Sequence, residues 1–250
     1  MKRPLIIAHR GDSRNAPENT MAAFRAAIEC GADGVEFDVQ LANDGVPVVI
    51  HDYDLRRTAS LRTKVAEVSS RELARTDVGS WFDPKFINEG VPTLKQLLAL
   101  YEKASGTIFI ELKCESGEFK PLVAAVANLL KGYSALDRVI VKSFRLGAIA
   151  EMKFHMPQVN TAALFEPSIM TILRRRRYII AMAREFGADG ISLHTSLASA
   201  SLIGDAKALD MPVTVWTADD PRWIDRCRDR QIDNLITNDP QRLLAARDSK

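Results

Sequence analysis

The chain has 250 residues, 46% of them hydrophobic, and a formal net charge of +2 at pH 7. That length suits one large domain or two small ones with an ample core, and the charge balance argues against nucleic-acid binding by bulk electrostatics. Three cysteines, Cys30, Cys114 and Cys227, lie far apart with neither metal-ligand spacing nor a disulfide framework, and read as reduced thiols of a cytoplasmic protein. The apolar run after Met1-Lys2-Arg3-Pro4 is too short for a signal peptide, and no stretch approaches transmembrane length.

The first apolar run, Leu5–Ala8, stops at His9 and Arg10; Gly11 turns the chain, a helix start is expected near Pro17, and Met21–Cys30 reads as the helical stretch. Further strand candidates follow at Gly34–Val39, Val46–Ile50, Thr107–Leu112, Val139–Val141, Val159–Leu164, Gly190–Leu193, Pro212–Trp216 and Asn234–Ile236. Helical patterns such as Leu94–Lys103, Pro121–Leu130 and Ser199–Leu209 alternate with them, which predicts βα units and a parallel sheet. The run at Val46 is the exception. Asn43-Asp44-Gly45 is a hairpin signal, so Val46–Ile50 should be a short antiparallel return. The remaining eight strands predict an α/β fold, a closed (β/α)8 TIM barrel spanning residues 1–250 as one domain. Residues 53–92 are charged and irregular and are expected to form a small insertion beside the barrel mouth.

In such a barrel the active site lies at the C-terminal ends of the strands. His9 and Arg10 close the first strand. Glu36 and Asp38 lie near the end of the second and, two residues apart, share a face. Glu111 and Lys113 do the same on a later strand, and Trp216 closes another. A turn centred on Asn43-Asp44 would pair Leu41 with Val46 and bring His51 opposite Glu36; a one-residue slip would send it to the other face. Taken singly, a strand-end carboxylate is more often half of an ion pair than a metal ligand, and a lone histidine is more often structural. It is the combination at successive strand ends that carries the functional reading. Three converging carboxylates repel one another unless something positive sits among them. Arg10 and Lys113 supply part of that charge. A hard divalent cation held by Glu36, Asp38 and Glu111 supplies the rest, with Mg²⁺ and Ca²⁺ both suitable and Mn²⁺ admissible. The resulting positive pocket points to a phosphate substrate, beside which His9 and His51 can serve as acid and base.

The stretches "AHRG" (8–11), "PENT" (17–20), "GVEFDVQLANDGVPVVIHD" (34–52), "IELK" (110–113), "SF" (143–144), "VWT" (215–217) and "ITNDP" (236–240) resemble the glycerophosphodiester phosphodiesterase family across essentially the whole chain. The resemblance implies a TIM barrel with a small insertion and hydrolysis of glycerophosphodiesters to glycerol 3-phosphate and an alcohol. It implies His9 and His51 as the acid–base pair, Glu36, Asp38 and Glu111 as metal ligands, and Arg10 and Lys113 on the phosphate. Phe144 and Trp216 would shape the wall near the glycerol. The chain departs from the family at Ala218-Asp219, where Val-Asn is frequent.

Two other functions fit the same pattern less well. A phospholipase C or D acting on lipid would need an apolar, membrane-facing rim, whereas the insertion here is short and polar. A non-catalytic barrel that only binds phosphate compounds would be expected to lack a histidine or a carboxylate, and none is missing. Other residues read as supporting or structural: His194 at the end of "GISLH", Glu166, the isolated Cys114, His155 on the surface, and the basic run Arg174–Arg177 as a solvated face. "PENT" reads as a helix start, with Glu18 or Asn19 behind the reacting groups.

Overall fold

The computed structural model describes residues 3–114, 118–170 and 177–249. Nine strands form one sheet: β1 (Leu5–His9), β2 (Gly34–Leu41), β3 (Pro47–Val49), β4 (Thr107–Leu112), β5 (Val139–Ser143), β6 (Asn160–Phe165), β7 (Gly190–His194), β8 (Val213–Trp216) and β9 (Asn234–Thr237). Parallel pairing runs β2-β4-β5-β6-β7-β8-β9-β1, and β1 pairs in turn with β2. The eight parallel strands therefore close into a barrel, and β3 lies antiparallel on β2 outside the ring.

Eight helices of eight residues or more, among the described residues, follow the barrel strands, from Met21–Glu29 to Pro240–Asp248. They cover the outer face of the sheet, and the two largest apolar clusters lie in that layer. Phe37, for example, points outward from β2 onto Phe24 of the first helix, with ring centroids 5.8 Å apart. Inside the barrel a smaller plug of Ile7, Phe109 and Ile236 is flanked by Leu5, Ile140 and Trp216. Side chains alternate along a strand, so the inward position two residues after each plug residue lies one layer nearer the mouth. After Ile7 comes His9, after Phe109 Glu111, after Ile140 Lys142, and after Ile236 Asn238. The site is thus the layer directly above an apolar plug.

Two local expectations need correction. The first helix begins at Met21, not near Pro17. Thr20 caps it, accepting from the Ala23 N–H and donating its hydroxyl to the Pro17 carbonyl at 2.6 Å. A cap of this kind contributes about 1 kcal/mol. Pro17–Asn19 is instead a turn, with Asn19 in the left-handed region (φ 57°). The hairpin register also differs by one residue, since Leu41 pairs with Pro47 and Val39 with Val49. Gly45 adopts φ +75° and the Ala42 N–H bonds the Val46 carbonyl, so the loop holds three residues, Asn43 to Gly45, rather than two.

Residues 53–92 contain only short helical turns, of which Arg56–Ala59 and Ser70–Leu73 are α-helical. Their apolar side chains, including Leu55, Val65, Leu73, Val78 and Val91, pack with Ala42, Val48 and Ile50 of the hairpin. Trp81 and Phe82 stand outside that small core. The basic run Arg174–Arg177 falls outside the described residues, save for the backbone of Arg177 at the start of helix Arg177–Glu185.

Candidate active site

The end of β1 carries the first functional side chains on an unusual backbone. Arg10 and Gly11 both have positive φ (57° and 83°), which swings the chain across the barrel mouth immediately after His9. A Cβ at Gly11 would lie 2.6–2.7 Å from Ala23 atoms, so only glycine fits there. The strained Arg10 backbone is fastened on both sides, its N–H to the Glu36 carbonyl (2.7 Å) and its carbonyl to the Asn19 N–H (2.9 Å).

Glu36, Asp38 and Glu111 are buried (0, 1 and 6% exposed), and each offers an oxygen within 4.8 Å of the others. Strand register explains the convergence: His9 pairs with Glu36, Asp38 with Glu111, and Glu111 with Lys142. Arg10 Nε lies 3.1 Å from Asp38, and Lys113 Nζ lies 3.8 Å from Asp38 and 3.7 Å from Glu111. Burial disfavours the charged form of Asp38, but Arg10, Lys113 and His51 outweigh it and hold the carboxyl well below its usual range. Glu111 goes the other way. Burial and the neighbouring Asp38 push it up to about 7, against the pull of Lys142 and Lys113. The Lys142 ammonium lies 2.8 Å from Glu36 Oε1, while Oε2 is buried without a hydrogen-bond partner. A set of oxygen donors with orphaned lone pairs and no thiolate suits a hard divalent cation.

The two histidines are held by different relays. His9 Nδ1 lies 2.6 Å from Asn238 Oδ1, and Asn238 donates through its side-chain and backbone N–H to Asp219 at 2.9 and 2.8 Å. His9 Nε2 lies 3.8 Å from Glu36. Burial keeps this imidazole below its ordinary pKa, against the pull of Glu36. His51 Nδ1 lies 2.7 Å from Asp52, which also accepts from Arg57 Nε at 2.6 Å. Arg57 then grips both oxygens of Glu18, and Glu18 reaches Arg10 at 2.8 Å. A continuous charged chain therefore runs from Asp38 through Arg10, Glu18, Arg57 and Asp52 to His51.

By the observed register His51 would lie opposite Phe37 and face outward if β3 continued. Past the Ile50 N–H bond to the Asp38 carbonyl (3.0 Å) the ladder ends, and Gln40 takes over. Its amide nitrogen donates to the carbonyls of Ile50, His51 and Asp52 at 3.1, 3.0 and 2.8 Å. Held this way, His51 lies close enough for Asp38 to feel its charge.

On the opposite side of the mouth, Phe144, Trp216 and His194 form an edge-to-face series with centroids 5.6 and 5.3 Å apart. The Trp216 indole N–H is buried without an acceptor. Between His9 and the insertion lies a cavity of about 560 Å³ lined by His9, Arg10, Glu18, Phe82, Asp219 and Asn238, among others. Trp81 instead packs under Arg57 (5.7 Å) and bonds the Val78 carbonyl through its indole N–H.

Several of these contacts were not foreseen from sequence. Lys142, Gln40, Asp52, Arg57, Asn238 and Asp219 hold the expected site residues in place. Asn19 and Glu18 both stand behind the site, Asn19 donating to Asp38 at 3.0 Å. His194 pairs with Ser196 at 2.9 Å, His155 with Glu151, and exposed Glu166 accepts from Ser168.

A closed (β/α)8 barrel with carboxylates, basic residues and histidines gathered at its C-terminal mouth is the arrangement of an enzyme suited to phosphate-ester chemistry. The profile of the glycerophosphoryl diester phosphodiesterase family matches residues 9–242, and the chain belongs to that family. It is 32% identical over 242 residues to the glycerophosphodiester phosphodiesterase of Caldanaerobacter subterraneus subsp. tengcongensis, covering 96% of each chain. Among solved structures it superposes with a TM-score of 0.87 on a phosphodiesterase of Oleispira antarctica in complex with the product sn-glycerol-3-phosphate. That pair shares 28% identity over 98% of this chain and 97% of the other. A glycerophosphodiester phosphodiesterase of Agrobacterium tumefaciens gives a TM-score of 0.81 at 26% identity, covering 98% and 100%. The chain is thus an enzyme, a glycerophosphodiester phosphodiesterase. No helix among the described residues is long and apolar enough to cross a membrane.

Proposed function

We propose that the enzyme hydrolyses water-soluble glycerophosphodiesters to sn-glycerol 3-phosphate and an alcohol, with His9 and His51 as the acid–base pair and a divalent cation, Mg²⁺ or Ca²⁺, at Glu36, Asp38 and Glu111. The observation that carries the reading is the buried triple of carboxylates, in which only oxygen donors are offered and Glu36 Oε2 lacks a hydrogen bond. Bound there, the cation would polarise a phosphoryl oxygen as a Lewis acid. The chain's own groups do the remaining work. Arg10 and Lys113, at opposite edges of the carboxylates, attract the diester anion and hold it at the mouth. One histidine accepts a proton from the attacking oxygen, that of water or of the glycerol hydroxyl, and the other delivers one to the alkoxide as its P–O bond breaks; where the glycerol hydroxyl attacks, water then opens the cyclic phosphate to give the monoester. Asn238 and Asp52 fix the Nδ1 side of each ring and leave Nε2 as the other proton-transfer position.

Phe144 and Trp216 form the wall for the glycerol, a small group with apolar and hydroxyl faces, and the unpaired indole N–H of Trp216 suits a hydroxyl. The cavity beside His9 and Phe82 is where the alcohol group extends. The test is product analysis on glycerophosphodiesters of choline, ethanolamine and inositol. Release of sn-glycerol 3-phosphate with the free alcohol is expected. Cleavage on the other side of phosphorus, giving glycerol and a phosphorylated alcohol, would contradict the proposal.

A further inference from the structure

Lys142 is a lysine with almost no exposure, 2%, at the inward position of β5 directly above Ile140. Its Nζ lies 2.8 Å from Glu36 Oε1 and 3.6 Å from Glu111 Oε2. Lys113, by contrast, stands nearer the mouth with a partly exposed side chain. Burying an ammonium is costly unless opposite charge compensates it, and the charged groups facing this one are Glu36, Glu111 and, further off, Asp38. Those are the three carboxylates assigned above to the divalent cation. Together with Arg10 and Lys113, Lys142 brings the cations around the cluster to three, equal to the carboxylates. Fixed positive charge therefore already faces the carboxylates without a metal, with Glu18 also drawing on Arg10.

We propose that Lys142 is a tethered counter-cation of the metal site: it keeps Glu36 and Glu111 assembled when no divalent ion is bound, and it holds the site's affinity for that ion down. The proposal rests on the metal-site reading of the carboxylates. A fixed unit charge in contact with two ligands opposes an incoming cation through the same low-dielectric surroundings that strengthen the ion pair. A divalent ion must share Glu36 with the ammonium or displace it from Oε1. Binding should consequently be weak and reversible, so that occupancy follows the free cation concentration.

The test uses the full chain stripped with chelator, titrated with Mg²⁺ and with Mn²⁺ by calorimetry, and melted with and without Mg²⁺. Lys142→Met keeps the length of the side chain without its charge, and Lys142→Gln is the second variant should the first fold poorly. Both are expected to bind Mg²⁺ at least tenfold more tightly than the wild type. Both should melt lower than the wild type in chelator and regain most of that loss with Mg²⁺. A variant that folds only in the presence of the cation would support the proposal in the same sense. Unchanged or weaker Mg²⁺ affinity would overturn it and make Lys142 a residue that orients Glu36 for the ion. Variants that fold under neither condition would also overturn it, leaving Lys142 as a structural ion-pair partner alone. The metal-site reading fails separately: the wild type and Glu36→Gln would then show no Mg²⁺ or Mn²⁺ binding at all.

Discussion

The barrel mouth has two unlike arcs. From β1 through β5 it carries charge: His9, Arg10, Glu36, Asp38, Glu111, Lys113 and Lys142, most of them buried and bound to one another. From the end of β5 to β8 it carries rings, Phe144, His194 and Trp216, in edge-to-face contact. Each arc contains a strand-end histidine, yet the two settings differ. His9 sits between Glu36 and an Asn238–Asp219 relay, while His194 stacks on Trp216 and bonds its near neighbour Ser196. A histidine's role thus follows from its partners, not from its position at a strand end. The charged arc should govern the chemistry, and the aromatic arc the fit of the substrate.

The largest effects should come from the charged arc. Glu36→Gln, Asp38→Asn or Glu111→Gln should each lower turnover by roughly 10³-fold or more, since a Lewis-acid contribution amounts to several kcal/mol. Steady-state assays with added Mg²⁺, alongside circular dichroism to verify folding, check this. Next come His9→Ala and His51→Ala, each expected to cost about 10²–10⁴-fold in rate. His194→Ala should cost far less, and a comparable loss there would erase the distinction between the arcs. Asp219→Ala acts on His9 only through Asn238, so its cost should be intermediate, about 10–100-fold by the scale of outer-shell partners. In the aromatic arc, Trp216→Ala and Phe144→Ala should raise KM more than they lower kcat, because they remove binding surface rather than reacting groups.

At the insertion, Trp81 and Phe82 touch edge to face, with centroids 5.8 Å apart, yet reach different surroundings. Phe82 lines the cavity beside His9, whereas Trp81 packs against Arg57 and its own loop. Phe82→Ala should change the ranking of choline, ethanolamine and inositol diesters. Trp81→Ala acts on the cavity only through its contact with Phe82, so it should change the ranking less than Phe82→Ala does and lower the melting temperature slightly. Reversed outcomes would relocate the alcohol pocket.

The smallest expected effect is a pH signature of the charged arc. Glu111 is raised to about 7 from an ordinary 4.5 in the metal-free protein, so between those values the folded state binds the extra proton. Its contribution to stability is present below pH about 4.5 and is lost as pH rises through about 7. Chemical denaturation of the stripped protein across that window should reveal the decline, and Glu111→Gln should flatten it. Because a ligating carboxylate must lose its proton, cation affinity should rise over the same window.

The strands of this fold were legible because parallel-barrel strands, covered on both faces, read as short apolar runs between helical patterns. The strand-end residues were legible for the same reason: polar side chains stand out where such a run stops. Lys142 is hidden in the sequence because the apolar run of the fifth strand ends at Val141, although Glu111 on the neighbouring strand is its register partner. The hairpin register was off by one because a left-handed Gly45 lengthens the turn, which Asn43-Asp44-Gly45 does not distinguish from a two-residue loop. Gln40 and Asp219 act on segments distant in sequence, and no local pattern marks them, whereas Asp52 acts on its neighbour His51. Asp219, a departure from the family at this position, proves to belong to the His9 relay.

Hydrolysis should depend on a divalent cation held by the buried carboxylates of β2 and β4. The most direct test is the rate of sn-glycerol 3-phosphate release from glycerophosphocholine by chelator-stripped protein, before and after Mg²⁺ is restored. The account predicts negligible release from the stripped protein, recovery on adding Mg²⁺ to the wild type, and no recovery in Glu36→Gln. Full activity of the stripped wild type would contradict it.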